Sequence, residues 1–136
     1  MPKPRRLAAT SPSASRNSDV FRPLVKVYEG IRTKEGCQVT VHEDDGPPRT
    51  LDLRLDIRNH SPTGFEWGYV GSGPAQLALA LLADVLGDKE QAQDRYQDFK
   101  FKVVGRLPHQ RWALTEEEIR QKLAAIERGG HSRGEG

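Results

Sequence analysis

The sequence predicts a small α+β domain: an antiparallel sheet of three to four strands followed by three helices packed on one face. Three observations carry this. Apolar and polar residues alternate through much of residues 25–58, the spacing becomes helical after Gly73, and Gly and Pro punctuate the joints. At 136 residues the chain has room for one domain with a modest core that needs no staple.

Residues 1–23 mix Pro, Ser, Ala and Arg without apolar periodicity, which predicts a disordered basic tail. VKVYEGIR and CQVTVHED then alternate as two strands joined by TKEG, where Gly36 suits a tight hairpin turn. After a break at EDDGPP, LDLRLDIR places Leu51, Leu53, Leu55 and Ile57 on one face and charged residues on the other, predicting a half-buried third strand. NHSPTG reads as a turn, and the alternation of Phe65, Trp67 and Tyr69 suggests a fourth short strand.

Pro74 suits the first turn of a helix that Gly87 ends. Only Gln76 and Asp84 are strongly polar between them, so this helix is expected to be central and mostly buried. Asp88 can cap a second helix with Ala92, Tyr96, Phe99 and Val103 as its apolar stripe, ending near Gly105. In the third helix Thr115 and Glu118 form a capping box, Leu114 and Ile119 a hydrophobic staple, and Ile119, Leu123 and Ile126 the buried stripe. Glu116 with Arg120 and Glu118 with Lys122 add favourable i,i+4 pairs. The domain therefore spans 24–128, with 129–136 a flexible tail.

The net charge of +2 is unevenly distributed. Setting aside five basic residues and one acidic residue in 1–24, and one of each in 129–136, leaves 15 basic against 17 acidic residues in 25–128. Nucleic-acid affinity would then rest on the leading tail, through Lys3, Arg5, Arg6 and Arg16. The single Cys37 can form no internal disulfide, no leader pattern opens the sequence, and no apolar run approaches a membrane span; the expectation is a soluble cytoplasmic protein that does not engage a membrane. Nothing in the sequence sets an oligomeric state.

Catalytic signatures are missing. Gly68 and Gly73 have P-loop spacing, but Pro74 and Ala75 stand where Lys and Ser or Thr are required. Gln76 stands where a dinucleotide fingerprint needs its third glycine. The amides of Ser72, Gly73, Ala75 and Gln76 near a helix start form a possible anion or nucleotide site, though an architectural joint accounts for the glycines more simply. His42, His60, His109 and His131 show no metal-binding spacing, so neither metal nor cofactor is expected. Phe65, Trp67 and Tyr69 read as core, with a stacking platform for single-stranded nucleic acid as the alternative.

The run DIRNHSPTGFEWGYVGSGPAQLALALLADVLGD, then YQDFKFKVV and WALTEEEI, resembles a family of small bacterial, plasmid and phage proteins with a domain of unknown function. The resemblance spans roughly residues 26–126 and is most specific in FEWGY and GSGPAQLALALL; Val70 stands where the family commonly has glycine. It implies an accessory protein of mobile DNA and supplies no catalytic or binding residue.

These observations together predict a small non-enzymatic interaction or regulatory module that binds another protein. The candidate contacts are Arg54, Asp56, Arg58, His60, Glu66 and Ser72 on the sheet face and the loop after it.

Overall fold

The computed structural model describes residues 25–43 and 46–135, with side chains described as far as residue 129. The expected basic tail, with Lys3, Arg5, Arg6 and Arg16, lies outside the described residues, as do Asp44 and Asp45 of the EDDGPP break. The elements are β1 (Lys26–Thr33), β2 (Gly36–Glu43), β3 (Arg49–Thr50), α1 (Ser72–Leu86), α2 (Lys89–Lys102), a 3-10 turn (Val104–Arg106), β4 (Arg111–Thr115) and α3 (Glu116–Glu135).

The four strands form an antiparallel sheet in the order β3-β2-β1-β4. β1 and β2 make the predicted hairpin, closed by Thr33 opposite Gly36, whose φ of 123° favours glycine. Tyr28, Val39, Val41, Trp112 and Leu114 are buried on one face of the sheet. Val27, Glu29, Ile31, Thr40 and His42 on the other are only half-buried, so the helices cover a single face.

α1 is the expected central helix, and Leu77 through Leu82 are completely buried. Its two strongly polar side chains, Gln76 and Asp84, serve the fold. The Asp84 carboxylate accepts from the Tyr28 hydroxyl at 2.5 Å and from Lys26 at 3.2 Å, and Arg49 reaches it at 3.2 Å. Burial pushes the Asp84 carboxyl up, but the Tyr28 hydrogen bond and the nearby Lys26 and Arg49 charges outweigh that and hold it below its ordinary value. α2 and α3 follow their predicted codes. Asp88 accepts from the Glu90 and Gln91 amides, and Thr115 and Glu118 exchange capping-box hydrogen bonds at 2.9 and 3.0 Å.

Two strand expectations are revised. LDLRLDIR is not a strand: after Leu51, whose amide donates to the Val39 carbonyl, the Asp52 carboxylate accepts from the Arg54 amide at 2.8 Å and Arg54 turns to a φ of 57°. A short acidic side chain thus supplies a local hydrogen bond in place of a ladder bond, and Leu55 ends 39% exposed. Residues 65–69 are also irregular. The fourth strand is instead β4, beyond α2, whose last two residues, Leu114 and Thr115, also carry the staple and capping box of α3. α3 itself extends to Glu135.

Candidate functional site: the 58–70 loop and the end of α2

Gln76 builds this region from below. Its side chain is fully buried, accepts from the His60 and Ser61 amides at 2.7 and 2.9 Å, and donates to the Leu53 and Arg58 carbonyls at 2.6 and 3.0 Å. All four bonds go to the loop between β3 and α1. A helix side chain thereby does for this loop what a neighbouring strand would do for a sheet segment.

Glu66 and Arg32 fasten the loop's second half. Arg32 pairs with Glu66 at 2.8 Å, donates to the His109 carbonyl at 3.0 Å and lies 5.2 Å from the centre of the Trp67 ring. The Trp67 indole N–H donates to the same His109 carbonyl at 2.8 Å. Although burial pushes the Glu66 carboxyl up, the Arg32 hydrogen bond brings it below its ordinary value. Cys37, beside this pair, is pushed up to about 11 by burial and then by the Glu66 charge, as expected of a packed thiol.

The sequence-predicted contacts therefore divide. Arg54 forms two hydrogen bonds to Asp56, at 2.9 and 3.0 Å, and Asp56 is also met by Lys89 at 3.4 Å, so these charges are turned toward one another. The Arg54 hydrogen bond holds the Asp56 carboxyl well below the usual carboxylate range. Glu66 is occupied by Arg32. Arg58 and Ser72 are exposed and His60 is half-buried. Of the possible anion-binding residues, Gly73, Ala75 and Gln76 are buried, Gly73 lies against the Glu66 side chain, and the Ala75 backbone amide donates to the Gly71 carbonyl at 2.9 Å. Phe65 and Trp67 are core, whereas Tyr69 is 50% exposed.

The sequence reading missed what surrounds Tyr69. The Gly68 amide donates to the Val104 carbonyl at 3.1 Å, which brings residues 68–70 onto the 3-10 turn. Gly105 there lies against the Val70 side chain and the Tyr69 and Lys100 carbonyls. Tyr69, Val70 and Phe101 are 50%, 50% and 52% exposed. His60 stands at the other end, its Nε2 2.7 Å from the buried Tyr96 hydroxyl, which also receives a hydrogen bond from Gln97 at 3.0 Å. Among the described residues there is no cluster of three metal-ligating side chains and no helix long and apolar enough to cross a membrane.

The model for a family of unknown function, DUF6166, matches residues 28–125, well over half of the 136-residue chain. The chain belongs to the DUF6166 family. Its matched segment runs from Tyr28 of β1 to the middle of α3, and so takes in the whole 58–70 loop and the end of α2. No curated protein and no solved structure matches it.

His60 gives this DUF6166 domain a pH dependence of definite sign. Burial, then the Arg58 and Lys100 charges, lowers its pKa below the ordinary 6.5. The folded state then binds fewer protons than the unfolded one. The contribution is fully present above 6.5 and is lost as pH falls from there through the folded-state value. Thermal melts should show stability declining as pH falls below 6.5, a loss that begins above the range where Asp84 and Glu66 titrate. His60→Gln should flatten that slope, and an unchanged slope would assign it to another group.

Proposed function

We propose that this domain is a small non-enzymatic protein-interaction or regulatory module, whose partner docks on the face made by Arg58, His60, Tyr69, Val70 and the end of α2. The observation that carries the reading is that three large apolar side chains, each at least half exposed, border the end of α2: Tyr69 and Val70 lie beside Gly105 just past it, and Phe101 is on its last turn against Lys100. Large apolar side chains held in the open on a rigid support, with polar residues at their rim, are the usual material of a docking surface. The support is rigid because the Gln76 bonds fix the loop on one side and the Gly68 amide fixes it on the other. The resemblance to small plasmid and phage proteins supports a place among the accessory proteins of bacterial mobile DNA, working in the cytoplasm.

Photo-crosslinking in the native cells tests this. A photoreactive residue in place of Tyr69 or Phe101 in the full-length protein should yield a discrete protein adduct. One in place of Gln121, exposed on α3, should not. Adducts from position 121 alone, or none from 69 and 101, would overturn the assignment of this face.

A further inference from the structure

The face has a charge of its own. The sequence from Phe99 to Thr115 holds Lys100, Lys102, Arg106, His109 and Arg111 and no acidic residue, and the loop from Ile57 to Phe65 holds Arg58 and His60 and likewise none. Yet residues 25–128 as a whole are slightly acidic. Of these basic residues, Arg111 is paired with Glu29 across the β1–β4 pair, which leaves Arg58 in the loop and Lys100, Lys102 and Arg106 at the end of α2 and just beyond it. Among the described residues, Arg58, Lys100 and Arg106 are not paired with any carboxylate, in contrast to Arg32, Arg49, Arg54, Arg95, Arg111 and Arg120. Both charges that bear on His60 between them are positive, those of Arg58 and Lys100.

We propose that the docking face binds an acidic, amphipathic segment of a protein partner, its apolar side chains meeting Tyr69, Val70 and Phe101 and its carboxylates meeting Arg58, Lys100 and Arg106. The inference rests on the interaction-module reading and adds the chemistry of the partner. Unpaired cations beside exposed apolar groups are complementary to carboxylates spaced among apolar residues. Carboxylates brought here would meet both of the positive charges that bear on His60.

A single-stranded nucleic acid would use the same charges but needs open ring faces on which bases stack. The Lys100 ammonium stands 4.4 Å from the centre of the Phe101 ring, over its face, and the Tyr69 ring packs against Gly71. Val70 offers a base nothing to stack on. These features favour the peptide.

Fluorescence anisotropy with the full-length protein separates the outcomes, using three labelled probes: a peptide alternating glutamate and leucine, its lysine-for-glutamate counterpart, and an oligothymidylate. The expected result is binding of the acidic peptide alone. The double variant Arg58→Glu, Lys100→Glu should weaken it by roughly tenfold or more while melting like the parent. Equal binding of the two peptides would overturn the acidic specificity and leave the apolar docking face standing. Tighter binding of the oligothymidylate, lost in the same double variant, would reassign the face to nucleic acid. Failure of all three probes would overturn the inference, and crosslinking from positions 69 and 101 would still decide the docking face separately.

Discussion

Replacing Gln76 by Met should lower the stability of the domain by about 4 kcal/mol, which for a domain of this size is a fall in melting temperature of about 20 °C. Methionine keeps nearly the same volume and flexibility, so the loss is not that of a cavity. It comes from four backbone groups, the His60 and Ser61 amides and the Leu53 and Arg58 carbonyls, that lose their partner at once. Each buried group left unsatisfied costs about 1–3 kcal/mol, and the total stays below four times that because the loop can open and rehydrate some of them. That opening is a second readout. Hydrogen exchange at the His60 and Ser61 amides should accelerate, while the β1–β2 hairpin keeps its protection. A Gln76→Met protein within about 1 kcal/mol of the parent would show that the loop is held by its apolar anchors, Leu51 and Phe65, and not by the amide.

Gln76 also shows where sequence reading reaches and where it stops. A lone Gln in SGPAQLALALL marks the helix as nearly all apolar, and burial of the helix follows directly from that pattern. Which backbone groups the amide meets depends on a loop 15 to 23 residues away in sequence, and no local periodicity encodes that distance. The helices were legible for the opposite reason. The Asp88 cap and the Thr115–Glu118 capping box are closed within a few residues of their own helices, so sequence and structure agree on them.

The strand expectations fail for separate reasons. LDLRLDIR has perfect alternation, but alternation says only that a strand could bury one face; it does not count competing hydrogen bonds. Asp52 offers the Arg54 amide a nearer acceptor than any neighbouring strand, and the bidentate Arg54–Asp56 pair closes the turn. RWALT has the same period over only five residues, and Leu114 and Thr115 within it equally suit the staple and capping box of the helix that follows. For the candidate site, exposure was the missing quantity: Phe65, Trp67 and Tyr69 look equivalent in sequence, yet Tyr69 alone opens to solvent because Gly68 turns the chain onto the 3-10 turn.

Gly30→Ala should have opposite effects in two backgrounds. Gly30 lies directly across from Trp112 in the β1–β4 register, and a Cβ on it would sit within the Trp112 indole. Backbone freedom is not the reason for glycine, because Gly30 is not among the positive-φ glycines of the chain. The indole cannot simply step aside. It meets Trp67 edge-on at 5.6 Å and 86°, and Trp67 is fully buried with its own N–H bound to His109. In the parent, then, the methyl group should cost about 3 kcal/mol through overpacking. Trp112→Leu alone should cost a similar amount by leaving a cavity, about 3 kcal/mol. With Leu in place the space above residue 30 is open, and alanine suits a strand better than glycine by about 0.5–1 kcal/mol. The same Gly30→Ala change should therefore become neutral or mildly stabilising in the Trp112→Leu protein, a coupling of about 3–4 kcal/mol in a double-mutant cycle read by denaturant unfolding. An equal cost in both backgrounds would mean that the glycine answers to something other than the indole. A reversed sign would place the requirement for Gly30 in one cross-strand contact that holds β4, and through it the loop bearing His109, against the rest of the sheet.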